Sequence, residues 1–466
     1  MVCRNSVSTS LSISLVALAA CAGPLPRLAT EQDIRAATGL EGLVEFRTES
    51  MPLDAPDDPG TQSASLSLRV AAERSVRNSA AVQVALARTQ AALAEAEQAR
   101  LFPNPLLSVV GRWGNGPFAF EASLSAPFVQ MLQTRRRASA ADRRLERAAS
   151  EAIAAAADAL AVAQSSYADA QAADARVRLV EERLLTLEQL VAVADSRLRN
   201  GEGSAIERAQ TEAKRFDAMQ EAAVARRGAH EARVRLAQSL GQPSTEASWA
   251  LDPLVAPAAS AAREQEWVAI ALQRRHELHA LAFELAALGD EAALAVFWPW
   301  QGSMVGAETQ RTPVWFTGPN ATVPLPIFDL GEAESRRVGA EVIGARHRIT
   351  AAARDVVAEV RVAHARAASV AAELARLQRD GIPQKQRAFD AAASMQRNGE
   401  LGRDAVLLAQ QELIAAREAE AELVHAALLA DVQLRRSVGG AAAAASVESR
   451  HSESESNKAR SEGEAQ

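Results

Sequence analysis

The sequence predicts a mainly α protein with a small β part, arranged as two tandem copies of one unit of long coiled-coil helices and short strands. Three observations carry this. The text is dominated by Ala, Leu, Val, Glu and Arg, with only 4% aromatic residues, which favours long helices over a compact mixed core. Apolar seams recur at heptad spacing over tens of residues. The same turn text appears twice, as "LRNGE" at Leu198–Glu202 and "QRNGE" at Gln396–Glu400.

The first unit occupies residues 65–240. Helical periodicity starts near Leu66 and continues to Arg100, where "LFPNPLL" at Leu101–Leu107 breaks it, because proline lacks an amide donor and restricts the residue before it. Strands are expected at about 105–126. In "PFAFEASLSA", Phe118, Phe120, Ala122 and Leu124 fall on one face and Ala119, Glu121, Ser123 and Ser125 on the other. "PLLSVVGRW" is the partner strand and "GNG" the turn. Each run approaches the ~9–11 residues of a tilted membrane-spanning strand, but a soluble hairpin capping a helical bundle fits this pattern equally. Helix resumes after Pro127. Val177, Leu184, Val191 and Leu198 lie seven apart with Val180, Leu187 and Ala194 between them, forming an a/d seam. From Gln130 to Leu198 the helix is on the order of 100 Å long. A turn at about 199–204 and a shorter helix to Leu240 complete the unit.

Residues 241–263 read as a linker, and the second unit occupies 264–438. It has strands at about 299–325, a seam at Val356, Val360, Ala363, Ala367, Val370, Leu374 and Leu377, and a turn at about 397–402. Pro103 and Pro299 are 196 apart, Asn200 and Asn398 are 198 apart, and Pro127 and Pro326 are 199 apart. Three landmarks in one order at nearly the same spacing make a duplication.

The ends differ in kind. Residues 1–20 carry Arg4 as their only charge, then an apolar, Ser-rich run, and read as an export signal too short to remain in a membrane. "LAAC" at Leu18–Cys21 resembles a lipobox, which implies cleavage before Cys21 and a covalent lipid on it. An ordinary signal with a small-residue cleavage site is the alternative. Cleavage moves the net charge from −7 to −8 and leaves Cys21 as the only thiol, so no disulfide is expected. Residues 21–64 are rich in Pro, Asp and Gly and read as an extended lipidated tether. Residues 439–466 are low-complexity and polar and read as a disordered tail.

Other signals are weaker. The 51 basic and 58 acidic residues give no electrostatic case for nucleic acid. "HELH" at His276–His279 spaces two His by three, whereas a metalloprotease helix needs four; it reads as a helix face, and no metal or other cofactor is expected. Trp298, Trp300, Met304, Trp315 and Phe316 fit either a ligand pocket or interfacial aromatics flanking membrane strands. "TRRRASAADRRLER" at Thr134–Arg147 suits lipid phosphates or an ion-paired helix face. No nucleophile with an orienting base and no phosphate loop is present, so an enzyme is not expected.

Taken jointly, the duplicated plan, "LFPNPLL", "ATVPLPIFDLGEAESRR" and the paired "RNGE" turns resemble the TolC family of outer-membrane efflux channels over Leu66–Val438. The resemblance implies a homotrimer whose four strands per chain close one twelve-stranded β-barrel in the outer membrane, with the helices forming a periplasmic tunnel. It implies a passive exit duct of a tripartite efflux or secretion system, driven by an inner-membrane transporter. In that family the Gly-containing turns meet a periplasmic adaptor, which places docking on Asn200, Gly201 and Glu202 and on Asn398, Gly399 and Glu400. From Gly201 to Ala209 is eight residues and from Gly399 to Ala409 ten, so the first tip is expected to be two residues short. A gate carboxylate often follows the second tip, and Asp404 sits one place early for it. The competing reading is a periplasmic structural or adaptor coiled-coil lipoprotein without a pore.

Overall fold

Heptad seams and scarce helix breakers produce rods. The computed structural model describes residues 30–40, 44–49, 52–54, 65–114, 118–311, 314–449 and 451. The chain begins with helix α1 (Thr30–Thr38), strand β1 (Ser65–Leu66) and helices α2 (Leu68–Asn78) and α3 (Ala80–Arg100). Strands β2 (Leu106–Arg112) and β3 (Ala119–Ala126) follow, then a short helix α4 (Phe128–Leu132) and the rod α5 (Thr134–Arg199). After the turn come α6 (Ala205–Ser239), β4 (Ala250–Leu251), α7 (Glu264–Arg274) and α8 (His276–Ala295). The second half continues with β5 (Met304–Arg311), β6 (Trp315–Thr322), α9 (Glu332–Arg376), α10 (Ile382–Arg397) and α11 (Arg403–Ser437).

Rod α5 has 66 residues, about 100 Å at the standard rise. Its buried positions are mostly alanine, including Ala152, Ala156, Ala163 and Ala170, which lets α3, α6, α8 and α11 lie close against it. Val180, Leu187 and Ala194 of the expected seam are buried, and Leu198 near the turn is exposed. The second rod differs. A five-residue π-helical segment, Leu377–Gly381, separates α9 from α10. Pro383, without an amide donor, sits just beyond it, and the wider turn absorbs the lost hydrogen bond and the ring's clash with the preceding turn.

The duplication is visible in helix caps. Asn78 Nδ2 donates to the Leu240 carbonyl at 3.0 Å, and Arg275 Nη1 donates to the Ser437 carbonyl at 3.2 Å. Each side chain lies at or beside a break in the shorter helix of its unit, α2/α3 or α7/α8, and holds the end of that unit's returning helix, α6 or α11.

β2, β3, β5 and β6 form one antiparallel sheet in that order. The register puts Leu107, Phe120, Leu124 and Val305 on one face with Trp315, and Ser108, Glu121, Ser123, Glu308 and Asn320 on the other. The alternation expected for the second strand is therefore the observed one. The join between repeats, β3 to β5, needs a glycine: a Cβ on Gly306 would overlap the Leu124 carbonyl and lie 2.7 Å from Ser125 Cα.

Two expectations are corrected. The segment expected as an extended tether contains α1, whose Ile34 is fully buried against Val76, Leu86 and Ile153; Glu31 accepts from the Phe46 amide at 3.1 Å and Gln83 from the Arg47 amide at 3.0 Å. One large apolar side chain on a nine-residue helix is a small signal beside the prolines around it. The tail expected to be disordered starts with a helix over 441–449, α12. Gly439 and Gly440, at φ +105° and +109°, reverse the chain so that Ala443, Ala444 and Val447 pack with Trp267 and Val438. The linker is docked on the first unit. β4 pairs in parallel with β1, and buried Tyr167 donates to the Leu66 carbonyl at 2.7 Å and accepts from the Asp252 amide at 2.9 Å. Burial pushes its phenol up to about 12. The export signal, Cys21 and residues 452–466 lie outside the described residues.

Ser123 and Glu308 are register partners, so Ser123→Cys with Glu308→Cys should form a disulfide, identified by mass spectrometry of the linked peptides. Adding Gly306→Val should abolish that link, and an undiminished yield would show that the join tolerates a side chain.

Candidate functional site: the helical tips and the sheet

Both turns close by the same hydrogen-bond pattern. After α5, the Gly201 amide donates to the Leu198 carbonyl (3.2 Å) and the Glu202 amide to the Arg197 carbonyl (2.9 Å). After α10, Gly399 donates to Gln396 (3.0 Å) and Glu400 to Met395 (2.9 Å). This is the Schellman arrangement, which needs a left-handed residue past the helix end. Gly201 and Gly399 supply it at φ +76° and +77°. Asn200, Gly201, Glu202, Asn398, Gly399 and Glu400 are all exposed, and nothing lies within 4 Å of a Cβ built on either glycine.

The expected two-residue shortfall of the first tip is not there. Residues 200–204 join α5 to α6 and residues 398–402 join α10 to α11, so the turns are equal in length; the alanines chosen as markers occupy different places on their helices. The tips differ in their exits. Ser204 Oγ accepts from the Glu207 amide at 3.1 Å, capping α6, whereas Gly402 before α11 has no capping side chain.

The structure joins the two tips through a residue that spacing alone did not single out. Arg197 Nη1 lies 3.0 Å from Asp404 Oδ2 and 3.2 Å from Glu207 Oε1. Asp404, the candidate gate residue, is thus tied to the other repeat. Leu407, one turn further, is buried against Leu187, Leu190 and Ala218. Higher on the rods, Arg183 bridges Glu221 and Glu418, and His425 meets Asp169 at 2.7 Å. Asp169, Glu221, Glu418 and His425 border a cavity of about 400 Å³ between α5, α6 and α11. Burial holds the Glu418 carboxyl above its usual range against the opposing pull of Arg183, with Glu221 adding to the rise.

At the far end of the rods, the sheet is sorted by chemistry. On the apolar face Phe120 stacks edge-on with Trp315 at 6.1 Å, and Arg311 lies over the Trp315 ring at 5.7 Å. On the polar face Arg112 pairs with Glu121 at 3.2 Å, and Glu308 accepts from Asn320 at 2.9 Å. Trp113, Phe118 and Trp315 cluster at the hairpin ends, and Phe128, Phe297, Trp298 and Phe328 at the helical end, all of them exposed. The strands between these two belts have seven or eight residues and span about 23–26 Å. Asp329 of "IFDLGE" fastens the junction: it accepts from the Trp298 indole at 3.2 Å and from the Gly331 amide at 2.8 Å. The His276 and His279 rings meet edge-to-face 5.9 Å apart, burial holding His276 below its usual value. Among the described residues no group of three His, Cys, Asp or Glu is placed to hold a metal ion, and no helix is long and apolar enough to cross a membrane.

No protein-family model matches the sequence, and no curated protein does. Solved structures match over nearly their whole length. The outer-membrane channel OprN superposes with a TM-score of 0.66 at 19% identity, covering 86% of this chain and 99% of that one. The chain has the fold of outer-membrane channels. CusC, described for its folding and transmembrane channel formation, superposes at 0.62 with 17% identity over 85% of this chain and 99% of its own. The Neisseria gonorrhoeae MtrE outer-membrane channel, in its open state, gives 0.64 and 16% over 84% and 95%. The TolC-like plan read from the duplicated text is thus the observed fold. The channel fold places the RNGE turns and the sheet at opposite ends of its rods.

Gly201→Val and Gly399→Val should each destabilise the chain by about 1 kcal/mol, and by similar amounts because the two turns share one geometry. Amide hydrogen exchange at Glu202 and Glu400 should speed up in the matching variant; unchanged exchange would show that the left-handed residue is not needed. A double-mutant cycle with Arg197→Ala and Asp404→Ala should give a coupling of roughly 0.2–1 kcal/mol, since both groups are partly solvated.

Proposed function

We propose that this protein is the outer-membrane channel subunit of a tripartite export system, a passive duct through which an inner-membrane transporter drives cargo. The observation that carries this reading is the four-stranded sheet, mostly apolar on one face and mostly polar on the other, mounted on rods about 100 Å long. Within the described sheet β2 and β6 are each paired on one side only, and lipid offers no partner for their free amides and carbonyls. Closure requires further copies. β2 and β6 run in opposite directions within the sheet, so β6 of one copy continues antiparallel onto β2 of the next, and three copies make twelve strands with the polar face inward.

In this reading the helical tips lie in the periplasm and dock an adaptor through Asn200, Gly201, Glu202, Asn398, Gly399 and Glu400. Docking opens the duct by separating Arg197 from Asp404, which otherwise holds the second tip against the first. Cys21 carries the lipid that tethers the mature N-terminus to the outer membrane. The duct works by excluding lipid and holding water, and no step in it calls for a catalytic group or cofactor.

Purified protein should be a trimer in detergent and should conduct ions across a planar bilayer; a stable, non-conducting monomer would refute the channel reading. Gly399→Val should leave trimer and conductance intact while lowering cross-linking to the adaptor and export; normal cross-linking would remove docking from that tip. Cys21→Ala should abolish fatty-acid labelling, whereas label retained on the variant would place the lipid elsewhere.

A further inference from the structure

The apolar sheet face continues past the strand. Phe120 and Leu124 of β3 are followed by Phe128 and Leu132 of α4 and then by Arg135 and Arg136 in the first turn of α5. Gln133 joins α4 to α5 with right-handed helical backbone, φ −81° and ψ −9°. The two arginines, three and four residues after Leu132, therefore share its side. Leu132 is 67% and Phe128 48% exposed, and both arginines are exposed.

Their neighbours in the basic run are engaged. Arg137 donates to the Gln130 carbonyl and the Thr134 hydroxyl, Arg143 pairs with Glu146, Arg144 with Glu291 and Arg147 with Glu151. Asp142, the first carboxylate after the pair, is held by Arg100 at 2.7 Å. Arg135 and Arg136 have no partner among the described residues. One stretch thus presents exposed apolar side chains and, a turn further from the sheet, two unpaired guanidinium groups.

We propose that this edge binds anionic phospholipid headgroups: Phe128 and Leu132 lie among acyl chains and Arg135 and Arg136 hold phosphate oxygens of the leaflet facing the rods. The proposal rests on the channel reading and adds a lipid preference to it. A guanidinium presents paired N–H donors that match phosphate oxygens, and its long stem reaches outward from an apolar surface. An acidic protein surface would satisfy the charges but leave no acyl phase for Leu132 and Phe128. A bilayer satisfies both.

The test titrates the detergent-purified protein with phosphatidylglycerol and, separately, phosphatidylcholine, counting bound lipid by native mass spectrometry. Arg135→Gln with Arg136→Gln should weaken phosphatidylglycerol binding by about fivefold per arginine removed and leave phosphatidylcholine binding, trimer and conductance unchanged. Arg144→Gln, which removes a guanidinium already paired within the chain, should leave phosphatidylglycerol binding at the parent level. Equal phosphatidylglycerol binding by parent and double variant would overturn the proposal. So would an altered cation-to-anion selectivity of the pore with lipid binding unchanged, which places the arginines in the duct. A parent that does not conduct removes the channel reading beneath it, a result distinct from a conducting parent without lipid preference.

Discussion

Close packing along α5 is the interaction on which the rest of the first half depends. Alanine at most of its buried positions lets α1, α2, α3, α6, α8 and α11 all rest on one rod. A larger side chain at a fully buried site such as Ala156 or Ala163 would push a neighbour away, since a well-packed interior resists added volume. Of the rod's larger buried groups, Leu160 and Tyr167 pack where short elements cross it, and Leu187 and Leu190 meet α6 and α11 near the tips. Tyr167 holds β1 and β4 by hydrogen bonds rather than by bulk alone.

Duplication supplied two copies of each device, and the copies have since diverged in chemistry while keeping position. The end of α6 is held by an amide side chain and the end of α11 by a guanidinium. The Arg275 guanidinium also reaches Glu359 and Glu277, so the second copy adds charge where the first has a neutral group. The first tip exits through a capping serine and the second through glycine. One rod is unbroken and the other carries a π-helical segment. A channel assembled from such subunits has only approximate symmetry between its two helical hairpins, and the Arg197–Asp404 pair shows it, since Met395 holds the place in the second repeat that Arg197 holds in the first.

The two ends of the rods face different solvents in the proposed channel, and their composition follows. Aromatic and aliphatic side chains are left exposed around the sheet, where lipid covers them. Around the tips the turn residues Asn, Gly and Glu are exposed beside Leu198, Ile206 and Met395, and ion pairs tie the helices together there. The basic run at the start of α5 sits at the changeover, and most of its arginines are absorbed by pairing within the chain.

The sequence by itself determined the rods, the duplication, the strand faces and the two left-handed turns, because each is written in local spacing: heptads, alternation, or a glycine after an asparagine. The resemblance to outer-membrane channels rested on that joint pattern and holds at the level of fold. Tertiary structure decided what local spacing does not encode. Docking of α1 and α12 depends on Ile34 and Val447 finding surfaces far away in the chain. The need for glycine at 306 arises from a carbonyl in the other repeat. The union of Arg197 with Asp404 spans more than two hundred residues and forms only because equal rods bring both turns to one level. Periodicity fixes which face of a helix is apolar; what that face meets is settled by the packing of distant segments.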